Sequence, residues 1–187
     1  SGAGGPRAGK AVAQGLKSQL NKETAYLGLG TNLGDRPENL AQAVKGLAAG
    51  PDLRVLRTSG IYETAPWGLI GQPDFLNLDF LNMVAEVSTT LSPRQLLDRV
   101  KDLEREMGRE DGPRFGPRLI DVDILLYGNS VVDDPDLHIP HASLHLRAFA
   151  LVPLAELAPN SVHPVIGSTI AHLAGEVDGL KGVILFG

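Results

Sequence analysis

The 187-residue chain contains no cysteine, few aromatic residues and no excess of positive charge. The absence of cysteine excludes a disulfide framework, a thiolate zinc site and a cysteine nucleophile. A net charge of −5 argues against a nucleic-acid-binding surface. No apolar run approaches the roughly 18 residues of a membrane span, and no signal-peptide pattern is present. These absences predict a soluble, cytoplasmic protein that binds neither nucleic acid nor membrane.

The composition is that of an ordinary globular domain, with 43% hydrophobic and 21% charged residues. The length predicts one domain with a substantial core. Residues 1–22 differ from the rest, because they begin with glycine, proline and alanine and hold few side chains that could pack a core. We interpret 1–22 as a flexible lead, tag or linker, and 23–187 as a single domain, which we expect to be a monomer.

Apolar spacing predicts elements in the order β-α-β-β-α-β, followed by short C-terminal elements. Asp35 or Thr31 can cap the first helix, which Gly50 and Pro51 end. The second helix runs from Thr90 to Met107, with Ser92 as its N-cap. Strands are predicted for AYLGLG, LRVLRTSGIYET, FLNMVAEV and RLIDVDILLYG, and a further helix for Leu144–Leu157. This order predicts an α+β, ferredoxin-like βαββαβ sandwich with an antiparallel sheet.

Asp121 and Asp123 form the sharpest local signal in the sequence. Residues two apart in a strand face the same side, so both carboxylates project together, roughly 6–7 Å apart by the strand rise. Two like charges on one face repel, and they require a cation to remain ionised together. A hard divalent ion such as Mg²⁺, bound together with substrate phosphates, meets this requirement. The alternative is a solvated strand face, but aspartate is depleted in strands.

Six arginines lie in the stretch that precedes these aspartates. Three of them belong to the predicted second helix and are interpreted as part of a solvated face: Arg94, Arg99 and Arg105. The other three lie in the loop GREDGPRFGPR: Arg109, Arg114 and Arg118. The arginine fork suits phosphate, because it donates two hydrogen bonds in one plane. Phosphate clamps beside a metal predict phosphoryl or pyrophosphoryl transfer with electrostatic stabilisation.

Two weaker patterns concern histidine and glycine. The spacing of His138, His141 and His145 could suggest a transition-metal site, but Pro140 prevents a helix from orienting the first two. Phosphate contact by His141, with Arg147 nearby, is favoured instead. The glycines of GLGTNLG resemble a dinucleotide fingerprint whose last spacing is one residue too long. We interpret them as positions of close backbone packing and a tight turn.

Four segments, taken together, resemble the signature segments of the 6-hydroxymethyl-7,8-dihydropterin pyrophosphokinase family. They are, in order, AYLGLGTNLGDR, YETAPWG followed by QPDFLN, RFGPRLIDVDILLYG, and IPHASLHLRAFALVPLAELAP. The resemblance covers Ala25 to about Pro164, and its GPRxxDxDILLYG segment is highly specific. It implies transfer of the β,γ-pyrophosphate of ATP to the pterin hydroxymethyl group with release of AMP, in folate biosynthesis. It also implies two Mg²⁺ ions and a ferredoxin-like core.

Carried over residue by residue, the resemblance implies three groups of site residues. Asp121 and Asp123 match metal ligands. The residues that match ATP contacts are Glu104, Arg109, Arg114, Arg118, His141 and Arg147, and those expected to be catalytic are Arg109, Arg114, Arg118 and Asp123. The pterin side is expected to involve Thr64, Ala65, Trp67, Phe80, Asn82, Phe115 and Phe149. Phe149 matches a stacking aromatic, and Phe115 stands where the family usually has a loop tryptophan.

The sequence departs from the family pattern most clearly in the doubled motif FLN-LD-FLN. Five extra residues are present, so either Asn77 with Phe75 or Asn82 with Phe80 could form the pterin site. We favour Asn82, because strand pairing of the following MVAEV would fix it while a loop before it can bulge. In the alternative, Asn77 keeps the role and Phe80 belongs to the core.

Two other classes of function are open from the residues alone. One is another magnesium-dependent phosphotransferase or nucleotidyltransferase on the same scaffold. The other is a non-enzymatic ligand-binding or assembly module, although such a module does not need two aspartates on one face after an arginine-rich loop.

Overall fold

The computed structural model describes residues 21–65, 79–108 and 119–187. Its strands are β1 (Glu23–Thr31), β2 (Leu53–Thr58), β3 (Tyr62–Thr64), β4 (Phe80–Thr89), β5 (Asp121–Tyr127), β6 (Val132–Asp134), β7 (Leu137–Ile139) and β8 (Ile184–Leu185). Its α-helices are α1 (Arg36–Ala48), α2 (Pro93–Met107), α3 (Ala148–Leu157) and α4 (Ile170–Glu176), with single 3-10 turns at Leu144–Leu146 and Leu180–Gly182. The lead predicted for residues 1–22 lies almost wholly outside the described residues.

Six strands form one sheet in the order β5-β1-β4-β3-β8, and β2 also pairs with β4. Every pairing in the sheet is antiparallel. Strand β4 is central, because β1 lies along one of its edges while β2 and β3 follow one another along the other. The predicted class of an α+β protein with an antiparallel sheet is therefore confirmed.

The two long helices begin at the caps that the sequence indicates. Asp35 Oδ1 accepts a hydrogen bond from Glu38 N at 3.2 Å, so Asp35 caps α1. Thr31, the other candidate, instead donates from its hydroxyl to Leu119 O at 2.7 Å. Ser92 and Gln95 form a reciprocal capping box at the start of α2.

Each face of the sheet is covered by a separate apolar layer. Helices α1 and α2 pack on one face through Leu40, Leu47, Leu96, Val100 and Leu103, against alternate residues of β1, β4 and β5. Helices α3 and α4 cover part of the other face through a cluster that includes Leu151, Leu154 and Ile170. Residues 21–65, 79–108 and 119–187 leave the remaining part of that second face open, and this part holds the cavity described below.

Two predicted elements are interrupted in the structure. The single strand predicted for LRVLRTSGIYET is divided into β2 and β3. Between them, the Ser59 hydroxyl accepts a hydrogen bond from Val84 N at 2.8 Å, and Ser59 N donates to Val84 O at 2.8 Å. The helix predicted from Leu144 to Leu157 is broken at Arg147, which has extended backbone angles between the 3-10 turn and α3.

Among the described residues, no helix is both long and apolar enough to cross a membrane.

Candidate active site

The open part of the second sheet face contains a cavity of about 200 Å³. Strand alternation builds its floor, because every second residue of β1, β4 and β5 faces it. Eight residues that the sequence predicts for the site line this cavity: Thr64, Ala65, Phe80, Asn82, Asp121, Asp123, Arg147 and Phe149. The structure therefore brings together the described members of the predicted metal and pterin groups, with one of the predicted ATP contacts.

Two rows of residues cross the floor of the cavity. In the first row, Gly30 of β1 lies between Asn82 of β4 and Asp121 of β5. In the second row, Gly28 lies between Val84 and Asp123. Two strand spacings separate the outer members of a row by about 10 Å. Because each central position is a glycine, no side chain stands between the amide and the carboxylate.

The two glycines pack as closely as the sequence interpretation predicts. A Cβ on Gly30 would lie 3.1 Å from Asn82 Oδ1, and one on Gly28 would lie 3.4 Å from the side chain of Leu125. Gly34 has a φ of +63°, which only glycine adopts at little cost. Close packing and a tight turn, rather than a dinucleotide fingerprint, account for this motif.

Asp121 and Asp123 face the cavity together, as the strand period predicts, while Val122 between them is buried in the opposite core. Asp123 lies near two cationic or titratable groups. Its Oδ2 is 3.6 Å from Arg147 Nη1, and its Oδ1 is 4.0 Å from His141 Nε2. Burial lowers the pKa of His141 below its usual value; Asp123 opposes this effect and Arg147 adds to it.

Arg147 reaches the carboxylate because the chain is extended at this residue, directly before α3. Its guanidinium carbon lies 5.6 Å from the centroid of the Phe149 ring, within range of a cation–π contact. Its Nε is buried and has no hydrogen-bond partner in the part of the chain that the structure describes. A buried N–H without a partner costs free energy, so the position of Arg147 is not explained by hydrogen bonds to Nε within the described residues.

Asn82 is 7% exposed and is held from both sides, since its backbone pairs with Gly30 of β1 and Tyr62 of β3. Its Nδ2 donates to Thr64 Oγ1 at 2.9 Å. The pairing on which the preference for Asn82 rests is therefore present. Asn77 lies outside the described residues.

Glu104 does not line the cavity. It is buried beneath β5, where its Oε1 accepts from Val122 N at 3.1 Å, and its Oε2 lies 3.7 Å from Lys101 Nζ. It therefore bonds to the strand backbone between the two aspartates. The ATP contact predicted for Glu104 stays a prediction.

The arginines of α2 differ from one another. Arg105 is exposed and pairs with Asp102, and Arg94 pairs with Asp134 and Asp136, as expected of a solvated face. Arg99 instead donates to Gly46 O at 2.6 Å and links α2 to the end of α1. The loop arginines Arg109, Arg114 and Arg118, together with Trp67 and Phe115, lie outside the described residues.

The sequence interpretation did not assign to the site five apolar residues that line the cavity: Leu29, Met83, Val84, Leu125 and Ala150. The alternation that places Asp123 on this face also indicates Leu125, two residues later, and Val84 follows from Asn82 in the same way. Ala150 had no such signal, because its place depends on how α3 packs against the sheet.

The model of the 7,8-dihydro-6-hydroxymethylpterin-pyrophosphokinase family matches residues 26–159. The chain belongs to this family. Its relatives include the 2-amino-4-hydroxy-6-hydroxymethyldihydropteridine pyrophosphokinase of Methylorubrum extorquens, 44% identical over 82% of this chain and 93% of that protein. The enzyme of the same name from Haemophilus influenzae is 41% identical over 75% of this chain and 85% of its own length.

The fold of this pyrophosphokinase family member is also similar to that of a solved structure. The wild-type HPPK-DHPS of Plasmodium falciparum, solved with pteroate, covers 83% of this chain with a TM-score of 0.65 and 19% identity. The match covers 42% of that longer chain. At this identity the likeness concerns the fold alone.

Proposed function

We propose that the cavity on the second sheet face is where this chain carries out its reaction. As a member of the family, the chain transfers pyrophosphate from ATP to 6-hydroxymethyl-7,8-dihydropterin in folate synthesis. The hydroxymethyl oxygen attacks the β-phosphorus, the bond between that phosphorus and the α–β bridging oxygen breaks, and AMP leaves. The hydroxyl proton is released. One observation supports this location of the reaction: two rows of residues cross the cavity floor, and in each a glycine separates an aspartate from the residue on β4, which is Asn82 in one row and Val84 in the other.

Asp121 and Asp123 fit a magnesium site. They offer hard oxygen ligands on one face, and the described residues contain no group of three histidine, cysteine, aspartate or glutamate side chains that could enclose a metal. Mg²⁺ commonly takes one or two carboxylates and completes its shell with water and substrate phosphates. We propose that these two residues hold two Mg²⁺ ions, which would neutralise phosphate charge when bound.

Two nitrogen-bearing side chains beside the aspartates, Arg147 and His141, suit the triphosphate. Arg147 has an unpaired buried Nε aimed at no described acceptor, and His141 lies beside Asp123. We propose that both contact phosphate oxygens of ATP, and that the carboxylate of Asp123 keeps the Arg147 guanidinium in place before ATP binds. Arg109, Arg114 and Arg118 stay sequence predictions for the same phosphates and for catalysis, and Glu104 for the nucleotide.

The opposite end of the first row suits a pterin. Its planar ring presents a donor–acceptor edge that the buried amide of Asn82 can match, and Phe149 and Phe80 supply aromatic faces at the cavity. Thr64, at the end of β3, and Ala65, directly after it, would contact the ring. We propose this group as the pterin site, with Trp67 and Phe115 as further sequence predictions.

The deciding experiment supplies ATP, Mg²⁺ and 6-hydroxymethyl-7,8-dihydropterin to the purified protein and separates the nucleotide products. AMP formed in equal amount to the pterin diphosphate supports the proposal. ADP in place of AMP would indicate the alternative of a different phosphotransferase, and absence of turnover would favour a binding module.

Three wider properties belong to the same proposal. The antiparallel order β5-β1-β4-β2/β3 with two helices on one face supports a ferredoxin-like classification. We also propose that the protein is a monomer and that it is cytoplasmic. Size-exclusion chromatography with light scattering tests the monomeric state.

A further inference from the structure

Arg36, the first residue of α1, joins two strands that it does not belong to. Its Nη1 carries two hydrogens, and it donates to both Glu63 Oε2 and the main-chain oxygen of Asp79, each at 2.8 Å. The Arg36 side chain is only 24% exposed. Both acceptors lie outside the cavity, and Arg36 does not line it.

The two acceptors are neighbours of residues that do line the cavity. Glu63 directly precedes Thr64 in β3, and Asp79 directly precedes Phe80 in β4. Thr64 and Phe80 are themselves paired across these strands. Arg36 therefore links β3 to the start of β4 through the residues that directly precede Thr64 and Phe80.

Strand β3 needs such support, because it has only three residues. The chain near β8 supplies more of it: Tyr62 and Glu63 pair with β8, and Phe186 N donates to Ile61 O at 2.8 Å. The Phe186 ring lies 5.8 Å from the Arg36 guanidinium carbon. A planar guanidinium stacks on such a ring while it keeps its hydrogen bonds, which an ammonium group does less well.

We infer that Arg36 is a positioning residue for pterin binding, which acts by fixing β3 against β4 so that Thr64 holds the Asn82 amide in the orientation that reads the pterin. This inference rests on the proposed pterin site. A recognition group must be held within about 0.5 Å of its productive position by the residues behind it. A shift of β3 would weaken the hydrogen bond between Asn82 Nδ2 and Thr64 Oγ1. The amide would then have to be ordered when the pterin binds, which lowers the affinity.

The test compares Arg36→Ala, Arg36→Lys and the unmodified protein by titration with 6-hydroxymethyl-7,8-dihydropterin and, separately, with an ATP analogue. We expect Arg36→Ala to raise the pterin Kd about tenfold, the low end of what supporting residues around a site contribute. The ATP-analogue Kd and kcat at saturating substrates should stay within twofold. Arg36→Lys should recover part of the pterin affinity, because it can still bond to Glu63.

Arg94→Ala is the matched control. Arg94 also bonds to two acceptors, Asp134 and Asp136 at 2.9 and 2.7 Å, but it contacts neither β3 nor β4 in the described residues. It should leave both affinities unchanged. Thermal unfolding of each variant shows that the titrations are made on folded protein.

Three results would overturn the inference: an unchanged pterin Kd in Arg36→Ala, an equal loss of affinity for pterin and ATP analogue, or an Arg36→Lys variant that binds pterin no better than Arg36→Ala. Failure of the proposed function is a separate result, because it would appear as absence of pterin binding or of AMP in the unmodified protein.

Discussion

At the residue scale, Asp123 lies close to two other side chains of the predicted site. Its carboxylate faces Arg147 on one oxygen and His141 on the other, and its side chain is 48% exposed. A half-exposed carboxylate with partners at 3.6 and 4.0 Å contributes little to stability. The same group, with Asp121, is the proposed magnesium ligand, so its effect on activity should far exceed its effect on folding.

Replacement of Asp123 by asparagine keeps the shape of the side chain and removes the anionic ligand. We expect Asp123→Asn to lower turnover with ATP, Mg²⁺ and pterin by on the order of a hundredfold or more, and Asp121→Asn to do nearly as much. Without metal, the unfolding midpoint of Asp123→Asn should change little, because the repulsion between the two aspartates and the contact of Asp123 with Arg147 are lost together. Asp133→Asn, in the β6–β7 hairpin, is the control. Near-normal turnover in either site variant would contradict the magnesium assignment.

Asn82 tests which half of the doubled FLN motif reads the pterin. We expect Asn82→Ala to raise the pterin Kd about tenfold or more, equivalent to about 1.4 kcal/mol, and to leave the ATP-analogue Kd nearly unchanged. The reason is that removal of the amide leaves the polar edge of the pterin unmatched in a buried site. Asn77→Ala should have little effect on titration with pterin. The reverse ranking of the two variants would place the extra residues after the site rather than before it.

At the element scale, α1 and α2 are in close contact at Gly46. A Cβ at this position would lie 2.5 Å from Leu103 Cδ1, and Leu103 is buried in the core. Arg99 donates to the carbonyl of the same glycine. The contact therefore depends on the absence of a side chain, although glycine in the middle of a helix is itself unfavourable.

We expect Gly46→Ala to destabilise the protein despite its higher helix propensity. Overpacking of a core costs about 1–3 kcal/mol, whereas the gain in propensity is about 1 kcal/mol at most. Gly175→Ala in α4 is the matched control, because a Cβ there meets nothing within 4 Å, and it should be neutral or stabilising. Urea unfolding of both variants measures the difference. Stabilisation by Gly46→Ala would show that Leu103 can move aside at little cost.

Which elements could be predicted from the sequence depends on the range of the contacts that define them. The helix caps and the shared face of Asp121 and Asp123 follow from residues within four positions of one another, and the structure has them. The hydrogen bond between Ser59 and Val84 at the break between β2 and β3 joins residues that lie 25 positions apart, and the Arg36 contacts span 27 and 43 residues. No local pattern encodes such pairs, so these features required the folded chain.

At the scale of the whole molecule, one sheet is shared by two apolar layers. Alternate residues of β1, β4 and β5 face α1 and α2 on one side, and on the other side they face α3 and α4 or the cavity. The Arg147 and Phe149 side chains reach the cavity from α3 and the turn before it, while the two aspartates come from the sheet. The cavity is therefore complete only when α3 and α4 are packed against the sheet.

Because both layers use the same strands, we expect them to unfold together. Leu47 in α1 and Leu154 in α3 are each fully buried, one in each layer. Leu47→Ala and Leu154→Ala should each lower the free energy of unfolding by about 2–5 kcal/mol and shift a single unfolding transition, as followed by calorimetry and far-ultraviolet circular dichroism.

A second, earlier transition in Leu154→Ala alone would show that α3 and α4 detach while the sheet and the first layer persist. In that case ATP analogue with Mg²⁺ should raise the temperature of the earlier transition selectively, because a ligand stabilises the state that binds it, and the proposed ATP site includes Arg147 from the second layer and Asp123 from the sheet.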